Sequence, residues 1–227
     1  MFDVIVRDLL DPRFGIRRGD KVLDIGCGGL PYPFATHLAD LSLTDHSDRF
    51  GLAVPLGDRP VFECSVEQMP FDDDEFDFVY CAHVLEHTEN PEAACRELMR
   101  VGRRGYIECP RSWAEYVFSA PAHRWLVDLE CGVLVFREKV PAEEGNPLGL
   151  RWSIFALLER PEFRNHWDSP EMYELRTVQL IWEDAFPFVV IRASERQVRA
   201  QRPPLVDETI RRHVTARVLD AFTGAAA

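Results

Sequence analysis

Apolar positions in the first half of the chain come in short runs, separated by turn residues and by one clear helical repeat. Lys21–Ile25 (KVLDI), Phe76–Ala82 (FDFVYCA) and Gly105–Cys109 (GYIEC) each read as a strand. Between the last two lies a helix marked at both ends. Asn90 can cap it, Pro91 suits its first turn, Glu92 complements its dipole and Gly102 can end it. Ala94, Cys95, Leu98, Met99 and Val101 form its apolar face. Strand and helix in alternation predict an α/β domain with a mostly parallel sheet covered on both faces.

Residues 111–170 break this alternation. They are rich in Trp, His, Pro and Arg and read as an insertion over the sheet edge. Regular patterning returns at Tyr173–Trp182 and Phe186–Ala193. With WEDAF between them, these predict an antiparallel C-terminal hairpin. Pro203 and Pro204 precede a final helix, about Asp207–Phe222. The whole, residues 1–227, reads as one domain carrying the 111–170 insertion.

Charge narrows the partners. The net charge of −12 argues against a nucleic-acid or anionic-membrane partner, because phosphate binding needs clustered Lys and Arg. The Arg-rich stretch Arg192–Arg212 is diluted by Glu195, Asp207 and Glu208 and reads as a solvated helix face. The N-terminal MFDVIVRDLL lacks a basic-then-apolar leader pattern. No run reaches the roughly 18 apolar residues of a membrane span. Six cysteines without a C-x-x-C pair argue against a zinc or disulfide framework and for reduced thiols in a cytoplasmic protein. The acidic run Asp72–Asp77 reads as a solvated turn rather than a metal site.

The chemistry begins at VLDIGCGGLPYPFATHLAD, Val22–Asp40. Asp24, Gly26, Cys27 and Gly28 close the first strand, where glycine lets the backbone turn tightly and approach a ligand. The dinucleotide fingerprint G-x-G-x-x-G is not met, because its third glycine position holds Pro31. A carboxylate at Asp24 would repel a pyrophosphate. It suits a ligand that carries positive charge and hydroxyls.

This stretch resembles the first motif of the class I S-adenosylmethionine-dependent methyltransferases. VEQMPFDDDEFDFVYCAHVLEHTENPEAACRELMRVGRRGYIECPR resembles the later motifs of that family's small-molecule branch, in order and spacing. The resemblance covers about residues 20–110 and implies a Rossmann-like fold and S-adenosylmethionine as cofactor. It departs at Leu30, where the family usually has glycine. Two paths are open after the turn. Phe34, Leu38 and Leu41 have helical spacing, but a helix there leaves no residues to reverse into a strand. The favoured path enters the second strand, Ala35–Ala39, almost directly and ends it at Asp40. That is similar to a bacterial subgroup with a shortened turn, in which HRWLV…LVFREK also recurs.

The resemblance then implies a cofactor site. Asp40 would accept from both ribose hydroxyls, with Asp45 in reserve. Ser65 and Val66 match the adenine-edge site, with serine in place of the usual aspartate. The backbone of Cys81, Ala82 and His83 would line the cofactor at the carboxyl edge of the sheet. His87 reads as a loop-fixing residue. His123, Trp125 and Asp128 lie in the insertion, where this fold selects substrates, and His123 is the candidate catalytic base. Residues 111–130 would form a wall or lid of the acceptor pocket. The expected function is methyl transfer to a small-molecule acceptor. A non-catalytic cofactor-binding module and a nicotinamide-dependent oxidoreductase are the alternatives.

Overall fold

A computed structural model describes residues 9–45, 51–54, 57–118, 120–140 and 150–195. The chain divides into two compact units, 1–193 and 194–227. The expected helix at Asp207–Phe222 falls in the second, outside the described residues.

The first unit opens with an antiparallel pair, β1 (Leu9–Asp11) and β2 (Ile16–Arg17). There follow β3 (Val22–Ile25), β4 (His37–Asp40), β5 (Val61–Glu63), β6 (Phe78–Ala82), α1 (Pro91–Val101) and β7 (Arg104–Pro110). Then come α2 (Ser112–Phe118), β8 (Trp125–Glu130) and β9 (Val133–Glu138). Three short helices, α3 (Arg151–Leu158), α4 (Pro161–Trp167) and α5 (Pro170–Arg176), lead to β10 (Thr177–Glu183) and β11 (Phe188–Ile191). The main sheet has the order β10-β7-β6-β3-β4-β5. Strands β3 to β7 within it run parallel, and β10 is antiparallel at the edge. The strand order reverses at β3, with β4 on one side and β6 on the other. Open α/β sheets bind ligands at the carboxyl ends of the strands beside such a reversal. Among the described residues no helix is long and apolar enough to cross a membrane.

The alternation of side chains along a strand divides the sheet's two faces. Leu23, Ile25, Val79, Cys81, Ile107 and Cys109 share a core with Ala94, Cys95, Leu98 and Val101 of α1. Asn90 caps α1 as expected, its Oδ1 accepting from the Ala93 N–H at 3.2 Å. The opposite face carries Val22, Phe78 and Tyr106 and has no helix over it between β3 and β4. The favoured path from the sequence holds. Residues 26–36 are turns, and the second strand starts at His37, two residues later than expected. Thr36 fixes this entry by accepting from the Val22 N–H at 2.8 Å through Oγ1 and donating its own N–H to the Val22 carbonyl at 2.8 Å. Rings replace the helix. Tyr32 stacks on Tyr80 at 4.4 Å, and Phe14 packs on Phe78 at 5.5 Å and Tyr106 at 4.7 Å.

Two expectations are corrected. The C-terminal antiparallel hairpin does not form. Residues 173–176 are the end of α5, β10 pairs with β7, and β11 pairs in parallel with β9. Each segment finds an open strand edge elsewhere, and across the turn only Glu183 and Ala185 bridge. Nor is the 111–170 segment merely a cover over the sheet edge. β8 and β9 form a hairpin through Cys131 and Gly132, both with positive φ, as primed turns require. Trp125, Val127, Leu134 and Phe136 from this hairpin belong to the main core.

Gly105 shows how closely β10 is seated. A Cβ there would lie 2.4 Å from the Val79 carbonyl oxygen and 2.8 Å from the Trp182 ring. Gly105→Ala should therefore cost about 2–3 kcal/mol, the range for overpacking a filled core, read as a lower urea midpoint at unchanged slope.

Candidate active site

The carboxyl ends of β3, β4 and β6 open into a cleft of about 780 Å³. Its floor is the glycine turn. Gly26 has φ 75°, and a Cβ on it would lie 2.2 Å from Val84 Cγ2. Glycine is therefore required both by the backbone angle and by the space. The N–H groups of Gly26 and Cys27 both donate to the Ala39 carbonyl, at 2.8 and 3.1 Å. That of Gly28 donates to Asp40 Oδ2 at 2.9 Å. Asp40, at the end of β4, thus shapes the turn that it faces.

Asp24 lies beneath the turn and is 3% exposed. It accepts from the Tyr32 N–H at 2.7 Å. Burial pushes its carboxyl up to about 7, outweighing the Tyr32 hydrogen bond and the Arg59 charge. At the far wall stands Glu108 on β7, 4% exposed. It accepts from the hydroxyls of Tyr106, at 2.5 Å, and Tyr173. His83 sits between two buried acids, with Nε2 3.0 Å from Glu108 and Nδ1 3.4 Å from Glu86. Burial alone would lower its pKa, but the two carboxylates outweigh it and raise it to about 10. His83 is therefore an imidazolium at neutral pH.

Asp24, Gly26, Cys27, Gly28, Asp40, Ser65, Val66, Ala82 and His83 all line this cleft, and Asp45 does not. Ser65 Oγ accepts from the Glu67 N–H at 3.1 Å and keeps capacity for a second bond. Cys81, expected to contribute its backbone, keeps its side chain out of the cleft. It is 1% exposed and lies on the α1 face of β6, inside the core, because strand alternation turns it away from Tyr80 and Ala82. Burial raises its thiol well above the usual range. His123 lines a second cavity of about 330 Å³, with Glu115, Phe118, Trp167 and Arg176. His83 lines both cavities. Of the aromatic residues expected around the second cavity, Trp125 is instead a core residue whose indole N–H donates to the Thr88 carbonyl at 2.7 Å.

The sequence reading assigned no role to Glu86, Glu108, Glu115 or Tyr173. An acid two positions after Tyr106 in an otherwise apolar strand was a readable signal for Glu108. Tyr173 gave none, being 65 residues away along the chain.

Comparison with known proteins adds the family. A profile described as "Methyltransferase domain" matches residues 23–107. A ubiquinone biosynthesis O-methyltransferase of Pseudomonas aeruginosa is 31% identical over 169 residues, 66% of this chain and 68% of that protein. The chain belongs to the class I S-adenosylmethionine-dependent methyltransferases. This family uses S-adenosylmethionine as its methyl donor, which sets the nicotinamide alternative aside. A sterol 24-C-methyltransferase of Schizosaccharomyces pombe is 28% identical over 205 residues, 80% of this chain and 52% of that protein. The chain spans about half the length of this and other curated relatives it matches. A solved S-adenosylmethionine-dependent methyltransferase from Mesorhizobium loti aligns with a TM-score of 0.38 at 14% identity, over 79% of this chain and 95% of that one.

Asp24 gives a test of the site's electrostatics. Its folded pKa, about 7, lies above its ordinary value of 3.8. The stability it contributes is therefore present below about pH 4 and lost as pH rises through 7. From pH 5 to pH 8, urea unfolding should show Asp24→Asn gaining about 2–3 kcal/mol on the unsubstituted protein.

Proposed function

We propose that the chain transfers a methyl group from S-adenosylmethionine to a small, largely apolar acceptor that presents a hydroxyl. The observation that carries this is the convergence of the glycine turn, Asp24 and Asp40 on one cleft at the reversal of strand order. The cleft fits such a ligand. Its floor excludes even a Cβ at Gly26, and its buried acid gains from a positive charge nearby. Bound there, S-adenosylmethionine supplies an electrophilic methyl group. Asp24 lies at the end that suits the cationic amino-acid part. Asp40 offers the acid for a vicinal diol, and Ser65 and Val66 would flank the base. The backbone of Ala82 and His83 completes the wall.

The second cavity is our candidate acceptor site. Ala114, Glu115, Phe118, Ala120 and His123, all within 111–130, form much of its wall. His123 Nδ1 lies 2.6 Å from Glu115 Oε2. A carboxylate can only accept, so Nδ1 donates and Nε2 is left to take a proton. His83, held as an imidazolium, is unsuited to that task. Much of the catalysis would come from positioning, with His123 as base for a hydroxyl. Oxygen is also the acceptor atom named for the ubiquinone-pathway relative. A small-molecule acceptor suits the acidic surface better than nucleic acid or membrane. Six cysteines, none in a disulfide, suit a cytoplasmic location.

Calorimetry tests the reading. S-Adenosylmethionine and its demethylated product should both bind with micromolar affinity, about 8 kcal/mol at 1 μM. Absence of binding for both at millimolar concentration would overturn it. Asp40→Ala should weaken binding by about 1.5–3 kcal/mol, and Asp45→Ala should change it little. His123→Ala should leave cofactor affinity within about twofold and lower the turnover of phenolic acceptors by about 100-fold, the usual share of a general base.

A further inference from the structure

We propose that Glu86, His87 and His123 form a binding site for one divalent transition-metal ion, at the junction of the two cavities. Glu86 is 1% exposed, its carboxylate oxygens accept no well-formed hydrogen bond, and its charged neighbour, the His83 imidazolium 3.4 Å from Oε1, is shared with Glu108. The neighbouring buried acids are satisfied. Glu108 has two tyrosine hydroxyls and His83, and Glu115 has Lys139 at 2.5 Å and His123. A buried carboxylate short of hydrogen-bond donors is costly, and one long ion pair shared with a second acid leaves Glu86 with capacity to coordinate a metal.

The groups around Glu86 are suited to such coordination. One ligand atom from each of Glu86, His87 and His123 lies within 4.8 Å of the others. The two imidazoles meet edge to face at 4.6 Å. Backbone bonds hold the three in place. The Arg124 N–H, next to His123, donates to the Glu86 carbonyl at 2.7 Å, and Trp125 ties the same turn through Thr88. The bond that His123 Nδ1 donates to Glu115 Oε2 would fix the imidazole and leave Nε2 for the metal. Two imidazoles and one carboxylate favour zinc, cobalt, nickel or iron over magnesium and calcium, which prefer all-oxygen sites. Three protein ligands leave an open position. His87 lines the first cavity and His123 the second, so an ion there is reachable from both.

The site shares His123 with the proposed base, so an occupied site would replace that role, and metal binding can be tested without methyl transfer. Chelator-stripped full-length chain carrying Cys131→Ser, which removes an exposed thiol, is titrated with Zn²⁺ by calorimetry and with Co²⁺ by visible absorption. One ion per chain should bind, with a nitrogen–oxygen cobalt spectrum free of thiolate charge transfer. Mg²⁺ at the same concentration should give no heat. His87→Gln and His123→Gln should each weaken binding by roughly 100-fold, and Glu115→Gln by about 10-fold. Glu86→Gln should abolish the rise in Tm that Zn²⁺ produces in the unsubstituted protein. No binding, or binding unmoved by both histidine substitutions, overturns the proposal.

Discussion

The structure depends on how one face of the sheet is covered without a helix. Parallel sheets expose two apolar faces, and both must be buried. α1 buries one. On the other, Phe78, Tyr80 and Tyr106 have no helix between β3 and β4 to pack against. Tyr32 takes that place. It is 5% exposed, lies flat on Tyr80 at 4.4 Å, and sends its hydroxyl to Asp11 at 2.7 Å. Burying one such side chain contributes on the order of 2–3 kcal/mol. Tyr32 also binds Asp24 through its N–H, so the residue that covers the sheet fixes the acid beneath the glycine turn. The short turn and the buried acid are thus one arrangement.

The same face changes character along its length. Strand alternation places Val22 and Asp24, Phe78 and Tyr80, and Tyr106 and Glu108 on one side in order. The amino ends of these strands carry the ring cluster, and the carboxyl ends carry the acids. The acids therefore gather where the strand order reverses and the cleft opens. Glu108 is affordable there because three side-chain donors surround it.

Local features of the sequence carried most of this organisation. The three central strands, α1 with its Asn90 cap, and the end of β4 at Asp40 all follow from short-range patterns. The direct entry into β4 followed from an absence: no glycine or spare residue was available to reverse a helix. The same alternation that places Asp24 turns the Cys81 side chain toward α1 and leaves the expected role to its backbone. Strand partners were not legible. β10 and β11 each chose an edge contributed by distant sequence, and no pattern within WEDAF encodes that choice. The acids of the site were hidden for a related reason. Glu86 and Glu115 become distinctive only when their surroundings are known, one with only a long ion pair to His83 and the other held by Lys139 and His123.

His83 joins these levels. It is a non-glycine residue with φ 57°, a sparsely occupied angle that persists only when its surroundings impose it. Glu108 imposes it twice, accepting the His83 N–H through its carbonyl at 2.8 Å and ion-pairing with Nε2 through its carboxylate at 3.0 Å. The partition between the cavities is therefore a fixed cation between two acids. Burial raises the pKa of Glu86 and Glu108, yet His83, with the histidines near Glu86 and the tyrosine hydroxyls on Glu108, outweighs it and holds both below the usual carboxylate range. Two negative charges against one positive leave the partition with an excess of one negative charge. Such a partition favours positive charge on either side, a cationic cofactor in the first cavity and a metal cation beside the second.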